Sequence, residues 1–169
     1  MSNLYLNMKR ILALVGTVFS TLFGCTQTDD FDVMVKNTVS EEVPYLYADS
    51  IPGENNYVFL DAREQEEFEV SRIPGAIYVG YDNFDLSKLQ GFSSNDTIVV
   101  YCSIGYRSNK IGKKLEKAGY KTVFNLYGGL FQWANDEHPM ENDAGSTTKI
   151  HGYNKKWSKW VTKGEIVLQ

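Results

Sequence analysis

The chain has 169 residues, 43% of them hydrophobic and 14% aromatic, with a formal net charge of −4 and two cysteines. That apolar content is enough for one ordered domain with appendages, so a wholly disordered chain is excluded. A mildly acidic chain has no long-range pull on nucleic acid, and two scattered cysteines without a nearby histidine pair cannot build a four-ligand zinc site.

Lys9 and Arg10 precede an uncharged stretch, Ile11 to Gly24. A charged start followed by an apolar core is the pattern of a secretory signal, and it falls short of the ~20 apolar residues of a bilayer span. It ends in Leu22-Phe23-Gly24-Cys25, which resembles the lipobox of bacterial lipoproteins. The resemblance implies a signal peptide over residues 1–24 and lipidation of Cys25. The protein would then be exported from the cytoplasm and held at the bacterial cell envelope by its N-terminal lipid. An uncleaved anchor or an unlipidated signal is the alternative, and a start at Met8 rather than Met1 gives a tidier signal. Loss of residues 1–24 removes two positive charges and no negative ones, so lipid rather than charge would hold the protein at an anionic leaflet.

Residues 25–42 read as a tether with a short amphipathic piece, in which Phe31, Met34, Val35 and Val39 recur at helical spacing. Val43 to Tyr47 reads as a short strand. Tyr57 to Leu60 is an apolar run ending in Asp61, a buried-strand signal, and the acidic stretch from Arg63 to Val70 is helix-prone. Pro74 and Gly75 mark a turn before the run Ala76 to Val79, and Asp85 to Gly91 reads as one helical turn. Asp96 to Tyr101 is the clearest strand. Ile111, Leu115 and Ala118 then share one helix face, stopped by Gly119. Lys121 to Asp136 reads as strand, turn and helix. Apolar strands alternating with helices predict an α/β fold with a parallel sheet.

Cys102 is the first residue past the clearest strand, and ligands of parallel α/β sheets sit beyond the carboxyl ends of strands. Gly105 gives the following turn its freedom, leading into a helix that starts near Ser108. Backbone N–H groups in such a turn form an anion-binding nest at a helix N-terminus, and Arg107 adds a full positive charge. Thiols in such surroundings ionise readily, and the ionised form is the nucleophile. The alternative is a small buried hydrophobe that happens to end a strand.

Four segments, taken in order, resemble the rhodanese family: Asp61-Ala62-Arg63 followed by Glu67-Phe68, Ile73-Pro74-Gly75-Ala76, Cys102-x-x-Gly105-x-Arg107-Ser108, and Gly128-Gly129 with Trp133. The resemblance implies a rhodanese-like fold with a central, mostly parallel sheet of about five strands flanked by helices. It gives a rhodanese-like domain at 43–140 and a basic, aromatic C-terminal extension at 141–169. The implied activity is a sulfurtransferase needing no cofactor or metal. Cys102 would take a sulfane sulfur from a donor such as thiosulfate as a persulfide and pass it to a thiophilic acceptor. Ser103, Ile104, Gly105, Tyr106, Arg107 and Ser108 would bind the small sulfur-containing anion through a ring of N–H donors. Arg107 either orients the donor or braces the loop against a carboxylate. Asp61, Arg63 and Glu67 read as loop supports, with Arg63 and Glu67 as the expected pair. Gly128, Gly129 and Trp133 read as turn and core without chemistry.

Ser71-Arg72 stands where the family often has Gly-His, and the loop carries no second cation, which weakens binding of a dianion such as thiosulfate. Two other functions compete. Cysteine phosphatases of a related fold use a longer spacer than the four residues between Cys102 and Arg107. A non-catalytic binding or sulfur-relay module at the envelope is the other. His138 and His151 read as ordinary surface residues. In the tail, Trp157, Trp160 and Val161 would share one side of a short helix. They form a patch for a membrane, an anionic partner or nucleic acid, or else pack on the domain. The domain is expected to be a monomer, with no nucleic-acid partner.

Overall fold

The computed structural model describes residues 26–51 and 57–168. The signal segment and Cys25 lie outside the described residues. The chain divides into two compact units, Met1–Met34 and Val35–Gln169. In the first, residues 26–34 begin helix α1 (Thr26–Thr38), which runs across the boundary. Among the described residues no helix is long and apolar enough to cross a membrane.

The second unit is built on a five-stranded parallel sheet: β1 (Tyr45–Leu46), β2 (Tyr57–Asp61), β3 (Ile77–Tyr78), β4 (Thr97–Tyr101) and β5 (Thr122–Leu126), in the order β1-β5-β4-β2-β3. A parallel sheet covered on both faces wants strands without polar alternation. The central strand meets that demand, with Ile98, Val99, Val100 and Tyr101 all at 0% exposure. Helix α2 (Gln65–Val70) follows β2, α3 (Tyr106–Lys117) follows β4, and α4 (Gly129–Asn135) follows β5. Ile111 and Leu115 of α3 join Val43, Leu60, Ile98, Val100 and Val123 in one core. Each such side chain contributes about 1.5–3 kcal/mol by burial.

Ala118 departs from the expected face. It caps α3 beyond Lys117 and is exposed, and Gly119 at φ +99° turns the chain away. The helix also starts two residues earlier than the sequence suggests. Gly105 at φ +105° ends the loop abruptly, so Tyr106 is already helical.

The strand order decides where a site can form. From β2 the chain moves outward to β3, and from β4 it moves the other way to β5. The adjacent strands β2 and β4 are therefore the switch point, where following loops diverge and leave a crevice at the carboxyl ends. They end in register, Asp61 opposite Tyr101.

The C-terminal extension belongs to the same compact unit. A hairpin of β6 (Glu141–Asn142) and β7 (Gly145–Ser146) is followed by β8 (Lys149–His151), α5 (Lys155–Ser158) and β9 (Glu165–Val167), with β8 and β9 parallel. Arg72 bridges Glu141 through both backbone hydrogen bonds, and β8 lies against α2. Asn135 of α4 donates to the Trp160 carbonyl and accepts from Thr162 N–H. The tail is thus tied to the sheet domain at both ends of its path. Helix α5 is shorter than the pattern Trp157-Trp160-Val161 suggests, and Val161 is buried beyond its end.

Candidate active site

Cys102 sits at the floor of a cavity of about 410 Å³ at the switch point, with its side chain 1% exposed. Its sulfur accepts the N–H of Gly105 at 3.2 Å. The left-handed conformation of Gly105 is what aims that N–H back at the sulfur. Ser103, Ile104, Tyr106 and Arg107 also line the cavity.

The loop is held from below by β5. Asn125, fully buried, donates to the Gly105 carbonyl at 3.0 Å and accepts the Ser108 hydroxyl at 2.7 Å. The Ser108 side chain therefore serves the loop's underside, and neither it nor Gly105 is among the residues lining the cavity. Helix α4 holds the loop from the side. Leu130 and Phe131 N–H donate to the carbonyls of Cys102 and Ser103 at 2.8 and 3.0 Å. Gly129 makes this approach possible. It lies at φ +57°, and a Cβ there would stand 2.3 Å from the Cys102 carbonyl oxygen.

Glu67 organises the charges. Its carboxylate accepts Arg107 Nη1 at 2.6 Å and Nη2 at 2.8 Å, the Ser103 hydroxyl at 2.9 Å, and the Glu64 N–H at 3.1 Å. The last bond is half of a capping box that starts α2. Burial alone would raise the Glu67 pKa. The hydrogen bonds and charge of Arg107, then the charge of Arg63 and the Glu64 N–H, outweigh it and bring it down to about 2. Burial would likewise push Arg107 down, but Glu67 and the nearby Cys102 hold it above its ordinary value. Of the two roles open to Arg107, the geometry is that of the brace.

The expected pair of Arg63 with Glu67 is corrected. Arg63 folds back onto Asp61, with Nε to Oδ1 at 2.9 Å and Nη2 to Oδ2 at 2.6 Å, and donates to the Ser71 carbonyl. Both residues are buried at the end of β2, where each charge needs the nearest partner and the neighbour at i+2 supplies it. Glu67, one helical turn further on, is left for Arg107.

The reading of His151 as a surface residue is also corrected. His151 is 8% exposed, and its Nδ1 accepts the Tyr153 N–H at 3.2 Å. Burial keeps its pKa below the ordinary value, opposed by the charge of Glu67. His138 stacks on Trp133 at 4.6 Å. Trp133 itself is buried and donates to the Pro139 carbonyl, as befits core.

The sequence reading missed what closes the cavity. Tyr153 and Trp157, both from the C-terminal extension, line it together with Phe131 and Tyr81. The Tyr153 ring lies 5.3 Å from the Arg107 guanidinium. Asn125 was missed too, although a lone amide inside the apolar run Thr122 to Leu126 is a local signal that it has a partner. Among the described residues no group of three or more metal-ligating side chains comes together.

The family model for the rhodanese-like domain matches residues 45–136. The chain belongs to the rhodanese family. Relatives of this chain include the thiosulfate sulfurtransferase GlpE of Coxiella burnetii (strain RSA 331 / Henzerling II), 27% identical over 106 residues, covering 60% of this chain and 94% of GlpE. The adenylyltransferase and sulfurtransferase UBA4 of Debaryomyces hansenii is 28% identical over 106 residues, with 58% of this chain covered. The chain spans only 23% of UBA4's length and 46% of YrkF, a relative from Bacillus subtilis (strain 168). The solved thiosulfate sulfurtransferase from Pseudomonas aeruginosa superposes with a TM-score of 0.54 at 22% identity, over 80% of this chain and 26% of that one, which establishes a shared fold. The family model ends before the extension begins, so Tyr153 and Trp157 are additions to the matched domain.

Proposed function

We propose that the protein is a sulfurtransferase that carries a sulfane sulfur on Cys102. The observation that carries this is the Cys102 sulfur, on the cavity floor and facing the Gly105 N–H at 3.2 Å. An N–H in that place favours a negative sulfur on the unloaded cysteine. The names of relatives such as GlpE point the same way.

In the first step the Cys102 thiolate attacks the outer sulfur of a donor, of which thiosulfate is the simplest. A bond forms between Sγ and that sulfur, the donor's own sulfur–sulfur bond breaks, and its electron pair leaves with sulfite. In the second step a thiolate or cyanide attacks the terminal sulfur and returns Cys102 to its thiolate. Two displacements through a covalent intermediate produce ping-pong kinetics.

The test is intact-mass analysis of the full chain in detergent after incubation with a sulfane donor. One added sulfur, removed by cyanide and lacking in Cys102→Ser, is expected. No adduct with any sulfane donor would replace this reading with the non-catalytic binding module.

Attachment to the envelope through Cys25 is proposed on the sequence alone. Metabolic labelling with a fatty acid should mark the protein and fail to mark Cys25→Ala.

A further inference from the structure

We propose that the C-terminal extension makes this site selective for organic sulfane donors, those with an apolar body of aromatic size and no more than one negative charge, and that Tyr153 and Trp157 set the preference. The proposal rests on the sulfurtransferase reading and names its substrate class.

The first observation is size and surface. The cavity of about 410 Å³ is in the range of organic-ligand sites, and a small inorganic anion on Cys102 would leave most of it empty. Around the sulfur stand the rings of Tyr81, Tyr106, Phe131, Tyr153 and Trp157. Removing apolar surface from water against such walls favours a ligand with an apolar body.

The second observation is charge. Arg107 is the sole cation among the described lining residues, and both its Nη atoms are bound by Glu67, with Nη2 also on the Ser103 hydroxyl. The Tyr153 ring lies over its guanidinium. Glu64 and Asp82 add two carboxylates to the lining. A dianion entering here meets two like charges, one cation already neutralised and the Lys110 ammonium held on the Tyr106 hydroxyl at 2.8 Å, a balance that still disfavours it.

The third observation is that the extension's wall is built rather than draped. Tyr153 holds φ +62°, which a side chain other than glycine's rarely adopts, and its N–H is fixed on His151 Nδ1. Asn154 caps α5 by accepting the N–H of Lys156 and Trp157, which sets where Trp157 begins its turn. Gly152 donates to the Val167 carbonyl, so β9 clamps the segment that carries both rings.

Benzenethiosulfonate and thiosulfate test this directly, because the first replaces one anionic oxygen of the second by a phenyl ring. In each, the Cys102 thiolate bonds to the terminal sulfur and the adjoining sulfur–sulfur bond breaks. The electron pair leaves as benzenesulfinate in one case and sulfite in the other. Methanethiosulfonate, with a single charge and a small body, separates charge from ring contact. With the full chain in detergent and cyanide as acceptor, kcat/KM should be at least about tenfold higher for benzenethiosulfonate than for thiosulfate, with methanethiosulfonate between them. Tyr153→Ala and Trp157→Ala should each lower the ratio of benzenethiosulfonate to methanethiosulfonate by about five- to tenfold, through KM, while Trp157→Phe keeps it. Equal kcat/KM for the three donors, or a ratio unmoved in both alanine variants, overturns the selectivity and leaves the sulfurtransferase reading standing. Failure of all three donors to load Cys102 overturns that reading and this one with it.

Discussion

Arg107 and Glu67 meet in a two-pronged ion pair, Nη1 to Oε2 at 2.6 Å and Nη2 to Oε1 at 2.8 Å, across forty residues of sequence. The side chains are 13% and 3% exposed. A guanidinium fork matched to a carboxylate is stronger than a point-charge contact. It joins the loop that carries Cys102 to the helix that follows β2.

Removing one partner strands the other. Arg107→Ala leaves the Glu67 carboxylate buried with its main counter-charge gone and should cost about 3–5 kcal/mol of stability. Arg107→Lys keeps the charge but loses the fork, and should fall between wild type and alanine. Denaturant unfolding of the variants measures both. Pairing Arg107→Ala with Glu67→Ala should cost less than the sum of the two singles.

The same pair sets a pH limit. Glu67 is brought down from the usual carboxylate range to about 2 by Arg107 against the opposing effect of burial. A carboxylate depressed in the folded state adds stability above its unfolded pKa and loses it as pH falls through the folded value. This share of stability, a few kcal/mol in order of magnitude, should be intact above about pH 4.5 and decline toward pH 2. Urea unfolding between pH 6 and 2 should show that slope, and Glu67→Gln should flatten it; an unchanged slope in the variant would refute the assignment.

Gly129→Ala should damage both fold and chemistry. The new methyl group would stand 2.3 Å from the Cys102 carbonyl oxygen at a backbone φ of +57°. Relief requires α4 to move away from the loop, breaking the bonds from Leu130 and Phe131 N–H. A loss of about 2–4 kcal/mol is expected, with slower loading of Cys102 by a sulfane donor. Gly119→Ala is the comparison, since its φ of +99° also disfavours alanine but nothing lies within 4 Å of the new carbon. It should cost stability without slowing the loading step.

Asn125→Leu should leave the Gly105 carbonyl and the Ser108 hydroxyl without the amide they bond. The buried Ser108 hydroxyl is then stranded, at a cost of about 1–3 kcal/mol, while the Gly105 carbonyl keeps only the Asn109 N–H at 3.1 Å. The Gly105 N–H would lose its aim at the sulfur, so the rate of persulfide formation should fall more than stability alone explains. Rates compared at equal folded fraction check this.

The strands and the loop were legible because their signals are local. Ile98 to Tyr101 is an uninterrupted apolar run, and the spacing of Cys102, Gly105 and Arg107 shows within six residues. The partners were not. Whether Arg107 faces a substrate or a carboxylate depends on how α2 packs beside the loop, and Glu67 has two arginines within reach. His151 carries no local mark of burial; it becomes buried because β8 lies against α2. Tyr153 and Trp157 sit in a basic, aromatic tail whose composition fits either an outer patch or packing on the domain. The pairing of β8 with β9, the packing of β8 on α2 and the bonds of Asn135 to Trp160 and Thr162 fold them back onto the domain.

Glu67 also receives the Glu64 N–H that caps α2. A helix of six residues does not persist in isolation, and this one is started by the carboxylate that anchors the sulfur-bearing turn. The two segments should breathe as one unit, their amide protons exchanging with solvent at a common rate. A donor that settles on the turn and slows its opening would then quiet the helix as well.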